Sequence, residues 1–300
     1  MNANNGFGHS AAEIGEPCEK ARKARFPSRL NGRQRALASA AAAAAGIAAV
    51  WIAGAFIQED QLATSLAQRN LPPSLFHPFG TDWLGRDMFL RTLKGLAVSI
   101  NVGLAASAAS VLIAAAMGIA AAAFGKTADR IVSWLIDLFL SVPHLVTLIL
   151  VSFAMGGGMK GIVIGLALTH WPSLARLVRA EVMQLSTAEY VRIARKLGRS
   201  RLQVAFAHMV PHLVPQLAVG MLLLFPHAIL HEAALTFIGL GLSPHQPAVG
   251  VILSESMRYL STGMWWLAFF PGLALLLIVR GFGIAGERLR QLADPRHARE

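Results

Sequence analysis

His227 and His231 stand four residues apart in the stretch PHAILHEA, the spacing at which two imidazoles share one helix face and can ligate one metal ion. Glu232 follows at once but points about 100° away around the same helix. Asp137, His144 and His170 are the other ionisable residues set in apolar sequence. An ionised side chain at the centre of a bilayer costs about 2.5–3.5 kcal/mol, so each should face a pathway or be paired. The histidines are either neutral groups hydrogen-bonded between packed helices or contacts for a solute in transit. In the second case His227 and His231 make a transient metal contact, because a closed four-ligand site would hinder release. His170 and Glu232 are the accompanying pathway candidates.

A second constellation is the basic island STAEYVRIARKLGRSRLQVAFAHMVP at 186–211, with Arg192, Arg195, Lys196 and Arg199 close together. Ser186 followed by Glu189 at the third position reads as a capping box and predicts a helix over about 187–198. Tyr190, Ile193, Ala194 and Leu197 fall at i, i+3, i+4 and i+7, one apolar stripe among basic faces. Gly198 supplies the C-terminal stop, and Pro211 cannot continue the ladder of a preceding helix. Such a helix rests on anionic lipid headgroups or docks on a protein.

The elements that must carry these residues are membrane spans. The chain has 300 residues, 55% hydrophobic and 14% charged, against about 25% charged in ordinary globular domains. Its single cysteine, Cys18, excludes an internal disulfide framework. Apolar runs at 36–56, 96–124, 131–155, 161–178, 210–235 and 265–286 predict six spans, the first with 21 residues and no charge, enough to cross a hydrocarbon core of about 30 Å. A cleavable signal peptide is the weaker reading of that first run, given its long polar lead. Residues 1–35 and 291–300 read as polar tails. With the N-terminus placed in the cytoplasm, 21 Lys and Arg fall on the cytoplasmic side and 6 opposite, so the rule of positive inner loops gives N-in and C-in. The same count accounts for the net charge of +11 without nucleic acid. AAAAFGKT at 120–127 lacks the first glycine of a phosphate-binding loop, since Ala120 stands there, and reads as a short turn rather than a nucleotide site.

The run EYVRIARKLGRSRLQVAFAHMVP resembles the coupling-loop signature of importer permeases of the ABC superfamily, with Glu189, Ala194, Gly198 and Pro211 at the matching positions. HPFGTDWLGRD (77–87), EAALTFIGLGLSP (232–244), WWLAFFPGLAL (265–275) and DPR (294–296) resemble the second, C-type permease of the dipeptide, oligopeptide and nickel importers. His208 departs from the apolar residue usual there, without disturbing the docking face. The resemblance implies an all-α membrane protein with the type I importer permease fold and a cytoplasmic coupling helix. It implies a translocation subunit, not an enzyme, in a bacterial cytoplasmic (inner) membrane. The implied partners are a second homologous permease, two cytoplasmic ATPase subunits and an extracytoplasmic solute-binding protein. No cofactor is expected in this chain, ATP and Mg being used by the partner subunits. Glu189, Tyr190, Ile193, Ala194, Leu197, Gly198 and Pro211 would make the ATPase coupling. PHAILHEA and ALTHWPSLARLVRA look closer to nickel and metal-chelate members, so nickel or a chelate is the expected solute and a di- or oligopeptide the alternative. An ion-coupled secondary carrier is the rival from another class.

Overall fold

The structure is a computed structural model and describes residues 32–293. Positions 1–31 of the expected N-terminal tail, Cys18 and the chain from 294 onward lie outside the described residues. The described chain is helical apart from its connections and one isolated bridge between Thr81 and Asp87. Its elements are α1 (Gly32–Phe56), α2 (Met88–Ala123), α3 (Lys126–Ser141), α4 (His144–Ala154), α5 (Gly158–Ser186), α6 (Glu189–Lys196), α7 (Arg201–Val204), α8 (Val210–Phe237), α9 (Val249–Met257) and α10 (Trp266–Ala293). A π turn, Ala205–Met209, fuses α7 to α8.

Among the described residues five stretches are long and apolar enough to cross a membrane: α1, α2, α5, the fused α7–α8 segment and α10. The bent α3–α4 pair makes a sixth if it counts as one span. This last point differs from the unbroken run expected over 131–155. Val142 is extended and Pro143 begins the next helix, so the axis turns by 100°. Pro143 has no N–H to give to the ladder and drives the residue before it out of the helical region.

The body is built on α2 against α5, the most extensive helix pair. Close approach is possible because Gly118 has no side chain: a Cβ there would lie 2.5 Å from Val178 Cγ1 and 3.1 Å from the Arg179 backbone nitrogen. α8 packs on α2 and α10, and α1 lies along α10 and α2. Trp134, Leu150, Phe153, Leu276 and Leu277 are left exposed. Large apolar side chains pointing outward are what a lipid-facing or partner-facing surface requires, since hydrocarbon exerts no drive to bury them.

The connection from α1 to α2 is held by a polar network rather than by regular structure. Buried Asp82 accepts from the Leu84 and Arg86 backbone N–H groups, both at 2.9 Å, from Arg86 Nε at 2.7 Å and from Arg91 Nη1 at 3.3 Å. Arg91 also reaches Glu255 on α9. Trp83 stacks on Tyr259 at 4.5 Å, with the Arg86 guanidinium 5.5 Å from its ring. Asp87 caps α2 by accepting from Phe89 N and Leu90 N and pairs with His77 at 2.7 Å. HPFGTDWLGRD is therefore the fastening of this loop to α2 and α9.

Candidate functional site

The basic island folds as α6 followed by α7, standing off the end of α5. The helix start differs from the one expected. Ser186 is the last residue of α5 and its hydroxyl donates to the Met183 carbonyl at 2.7 Å. Its backbone is still helical, so it cannot open a new helix, and α6 begins at Glu189 after Ala188 without a side-chain cap. The capping box of this region is one helix later: Ser200 accepts from Gln203 N at 3.2 Å, and the Gln203 side chain accepts from Ser200 N at 3.0 Å.

The apolar stripe is also divided. Tyr190, Ile193 and Leu197 are exposed, the last two at 57% and 77%, whereas Ala194 is buried together with Val191. At about 100° per residue the five side chains span a continuous arc of about 160°. The arc is wide enough for one half to seat on the body while the other faces outward. The inner half joins a core with Val182 and Leu185 of α5, Val204 of α7 and Leu213 of α8. Gly198 ends α6 at φ +83°. Its N–H bonds the Arg195 carbonyl at 3.1 Å and that of Arg199 bonds Ala194 at 3.3 Å, the two-bond pattern of a Schellman stop. Nothing lies within 4 Å of a Cβ there, so the backbone angle and not space demands glycine.

Pro211 does not open a span; it is the second residue of α8, within one continuous rod from Arg201 to Phe237. The π turn immediately before it widens the helix where the proline ring would otherwise meet the preceding turn. α6 and α8 are thus linked through packed helix.

The histidines lie elsewhere, in a cavity of about 880 Å³ between the α3–α4 corner, α5 and α8. His144, His170, His227 and His231 all line it. The rings of His144, His170 and His231 meet edge to face, 4.6 Å, 4.6 Å and 5.3 Å apart. His144 joins this group because the bend at Pro143 turns the start of α4 toward α5 and α8. Glu232 does not share the cavity. It is fully buried on the other side of α8, accepting from Thr236 Oγ1 at 3.0 Å, with Ser99 of α2 beside it. Asp137 pairs with Arg176 at 2.9 Å on the exposed surface. Arg179 of α5 holds Asp129 of α3 through two bonds, one of 2.9 Å between Nη2 and Oδ2. Among the described residues no three His, Cys, Asp or Glu side chains are placed to hold one metal ion.

Residues 87–299 match the family described as the binding-protein-dependent transport system inner membrane component. The chain belongs to this family. The permease is 34% identical over 232 residues to the dipeptide transport system permease protein DppC of Bacillus subtilis, covering 77% of this chain and 72% of that one. It is 35% identical over 241 residues to the oligopeptide transport system permease protein OppC of the same organism, covering 80% and 79%. A putative peptide transport system permease protein of Brucella suis is 36% identical, with 78% of each chain covered. The inward-facing MetNI methionine ABC transporter has a chain that superposes with a TM-score of 0.56 at 17% identity, covering 69% of this chain and 98% of that one. This likeness shows the fold, that of a type I importer permease. The permease is an inner-membrane translocation component of an ABC importer and not an enzyme. Membership implies ATPase and binding-protein partners and removes the ion-coupled secondary carrier from consideration.

Proposed function

We propose that the permease is one of two non-identical membrane subunits lining an ATP-driven passage for small peptides, with both termini in the cytoplasm. The observation that carries the solute class is the similarity to permeases named for dipeptides, oligopeptides and peptides across about three quarters of each chain. Peptide accordingly takes precedence over the nickel or metal-chelate solute expected from the sequence.

The geometry supports a mechanical route. Tyr190, Ile193 and Leu197 enter a cleft on the ATPase, and Glu189 with the basic residues flanks them. Val191 and Ala194 pass any displacement to the end of α5 and, through α7 and the π turn, to α8. Those two helices form walls of the histidine-lined cavity, so closure of the ATPases moves both together, as rigid-body alternation requires. The polar loop before α2 lies on the face that receives the binding protein, where Leu75 and Phe76 are exposed apolar contacts.

The test is competition for uptake in membranes carrying the complete importer, with labelled dipeptide against unlabelled dipeptide, tripeptide and nickel salt. Both peptides should compete. Displacement by nickel salt alone, with the peptides inert, would overturn the peptide reading.

A further inference from the structure

A second, smaller pocket of about 200 Å³ lies where the turn after α1, the start of α2 and the loop before α9 meet, lined by Glu59, Leu62, Arg86, Arg91, Lys94 and His245. It shares no residue with the histidine cavity. With the N-terminus in the cytoplasm only six Lys and Arg fall on this side of the membrane, and three of them stand in this wall. Arg91 is taken up by Asp82 and Glu255, but the other two are not fully engaged. Nη2 of Arg86 is buried without a hydrogen-bond partner, Glu255 Oε2 standing 3.7 Å off, and a buried donor left unpaired is costly. Lys94 gives one N–H to the Ile57 carbonyl at 2.8 Å, which leaves two others to give. Glu59 is exposed and makes no ion pair among the described residues.

Cationic N–H groups with bonds still to make, beside a carboxylate without a partner, match a zwitterion: an anionic group linked to an ammonium. Phosphate accepts from both Arg and Lys in charge-assisted bonds. The pocket is smaller than the ~300–1,000 Å³ usual for small-molecule sites, too small for a peptide and suited to a head group. Its position selects a lipid. α1 ends at Phe56, three residues before Glu59, and Trp51, Ile52 and Phe56 are 40%, 47% and 80% exposed. At about 100° per residue these three fall within about 140° of one another, an apolar track that leads up to the charged pocket. Basic pockets between membrane helices take phospholipid head groups, and Trp marks the level of the membrane interface.

We propose that this pocket holds the head group of an amine-bearing phospholipid, its phosphate against Arg86 and Lys94, its ammonium against Glu59 and its acyl chains along Trp51, Ile52 and Phe56. A lipid seated there bridges the end of α1, the start of α2 and the loop before α9. The site rests on the orientation proposed above only for its leaflet, the extracytoplasmic one, and for the scarcity of cations on that side.

The purified importer, permease pair with its ATPases, is stripped of lipid in detergent and titrated in turn with dioleoyl phosphatidylethanolamine, phosphatidylglycerol and phosphatidylcholine, and native mass spectrometry counts the lipids retained. Wild type should hold phosphatidylethanolamine at least fivefold more tightly than the others, since phosphatidylglycerol lacks the ammonium and phosphatidylcholine lacks its N–H groups. Lys94→Gln should weaken phosphatidylethanolamine binding at least fivefold. Glu59→Gln, at an exposed position that leaves the packing intact, should erase the preference over phosphatidylglycerol, and it serves if the Lys94 variant fails to assemble. Equal retention of the three lipids by wild type, or phosphatidylethanolamine affinity within twofold of wild type in either variant that assembles, overturns the proposal. Free phosphoethanolamine binding as tightly as the lipid also overturns it, because the ligand is then a soluble zwitterion. So does a loss of binding-protein affinity in Lys94→Gln with lipid retention unchanged, which gives the pocket to the binding protein. The orientation is tested by itself with a membrane-impermeant thiol reagent on spheroplasts carrying Leu75→Cys, at a fully exposed position. No labelling with the lipid preference intact overturns the orientation and leaves the head-group site standing; labelling without the preference does the reverse.

Discussion

Replacing Ile193 and Leu197 together by alanine should loosen the ATPase more than it loosens the permease. In the permease alone the two side chains are 57% and 77% exposed, so more than one whole aliphatic side chain of apolar surface remains for a partner to cover. Full burial of such a side chain is worth about 1.5–3 kcal/mol. Truncation should therefore remove about 2–3 kcal/mol of docking, a factor of about 30 to 150 in Kd at 1.4 kcal/mol per tenfold. The assay is titration of the isolated ATPase subunit against the permease pair in nanodiscs, with thermal melting of the permease measured in parallel. Melting should fall less than docking does, because the smaller part of the surface at these two positions is buried in the fold. Val191→Ala is the contrast: fully buried, it should lower the melting temperature through a lost core contact of about 1 kcal/mol or more. An ATPase affinity within twofold of wild type in the Ile193 and Leu197 double variant would refute the assignment of the outer half of α6 as the grip.

Gly198→Ala should weaken the stop of α6 by about 1 kcal/mol, since φ +83° is strained for any side chain; ATPase stimulation by loaded binding protein should fall while membrane insertion holds. Asp82→Ala should destabilise the permease by about 1–3 kcal/mol, because it removes one of the two carboxylates that Arg86 and Arg91 share and leaves Glu255 to hold both, seen as reduced yield and earlier melting. Glu232→Gln should leave uptake within twofold of wild type, since the amide keeps an acceptor for Thr236 in the same shape; loss of transport would return Glu232 to the pathway. Gly118→Leu should prevent folding, as its side chain would occupy the space of Val178 and the α5 backbone.

The spans were legible in the sequence because twenty apolar residues in a row have few other physical solutions. The corner at Pro143 was visible as a proline, yet apolarity continues across it, so composition gave no break where the backbone does. The histidine cavity was half legible. His227 and His231 share a helix face by spacing alone, but His144 and His170 belong to other helices, and only the α3–α4 turn brings them there. Serine followed by Glu or Gln at the third position occurs at both Ser186 and Ser200, and nothing local shows that the first is consumed by the end of α5. The division of the α6 stripe was not legible either, because Tyr190, Val191, Ile193, Ala194 and Leu197 form one arc and only the core behind it determines which half faces inward.

The length of α6 has its own consequence. Eight residues are too few for a helix to persist by itself in water, where about 12–15 are needed even for favourable sequences. α6 is therefore helical only while Val191 and Ala194 are seated against α5, α7 and α8. A permease whose α5 and α8 ends have not met would present no ordered α6, and under the proposed docking its ATPase would find nothing to hold. Under that proposal α6 is a certificate of assembly, issued by the membrane body and inspected by the motor before any ATP is spent.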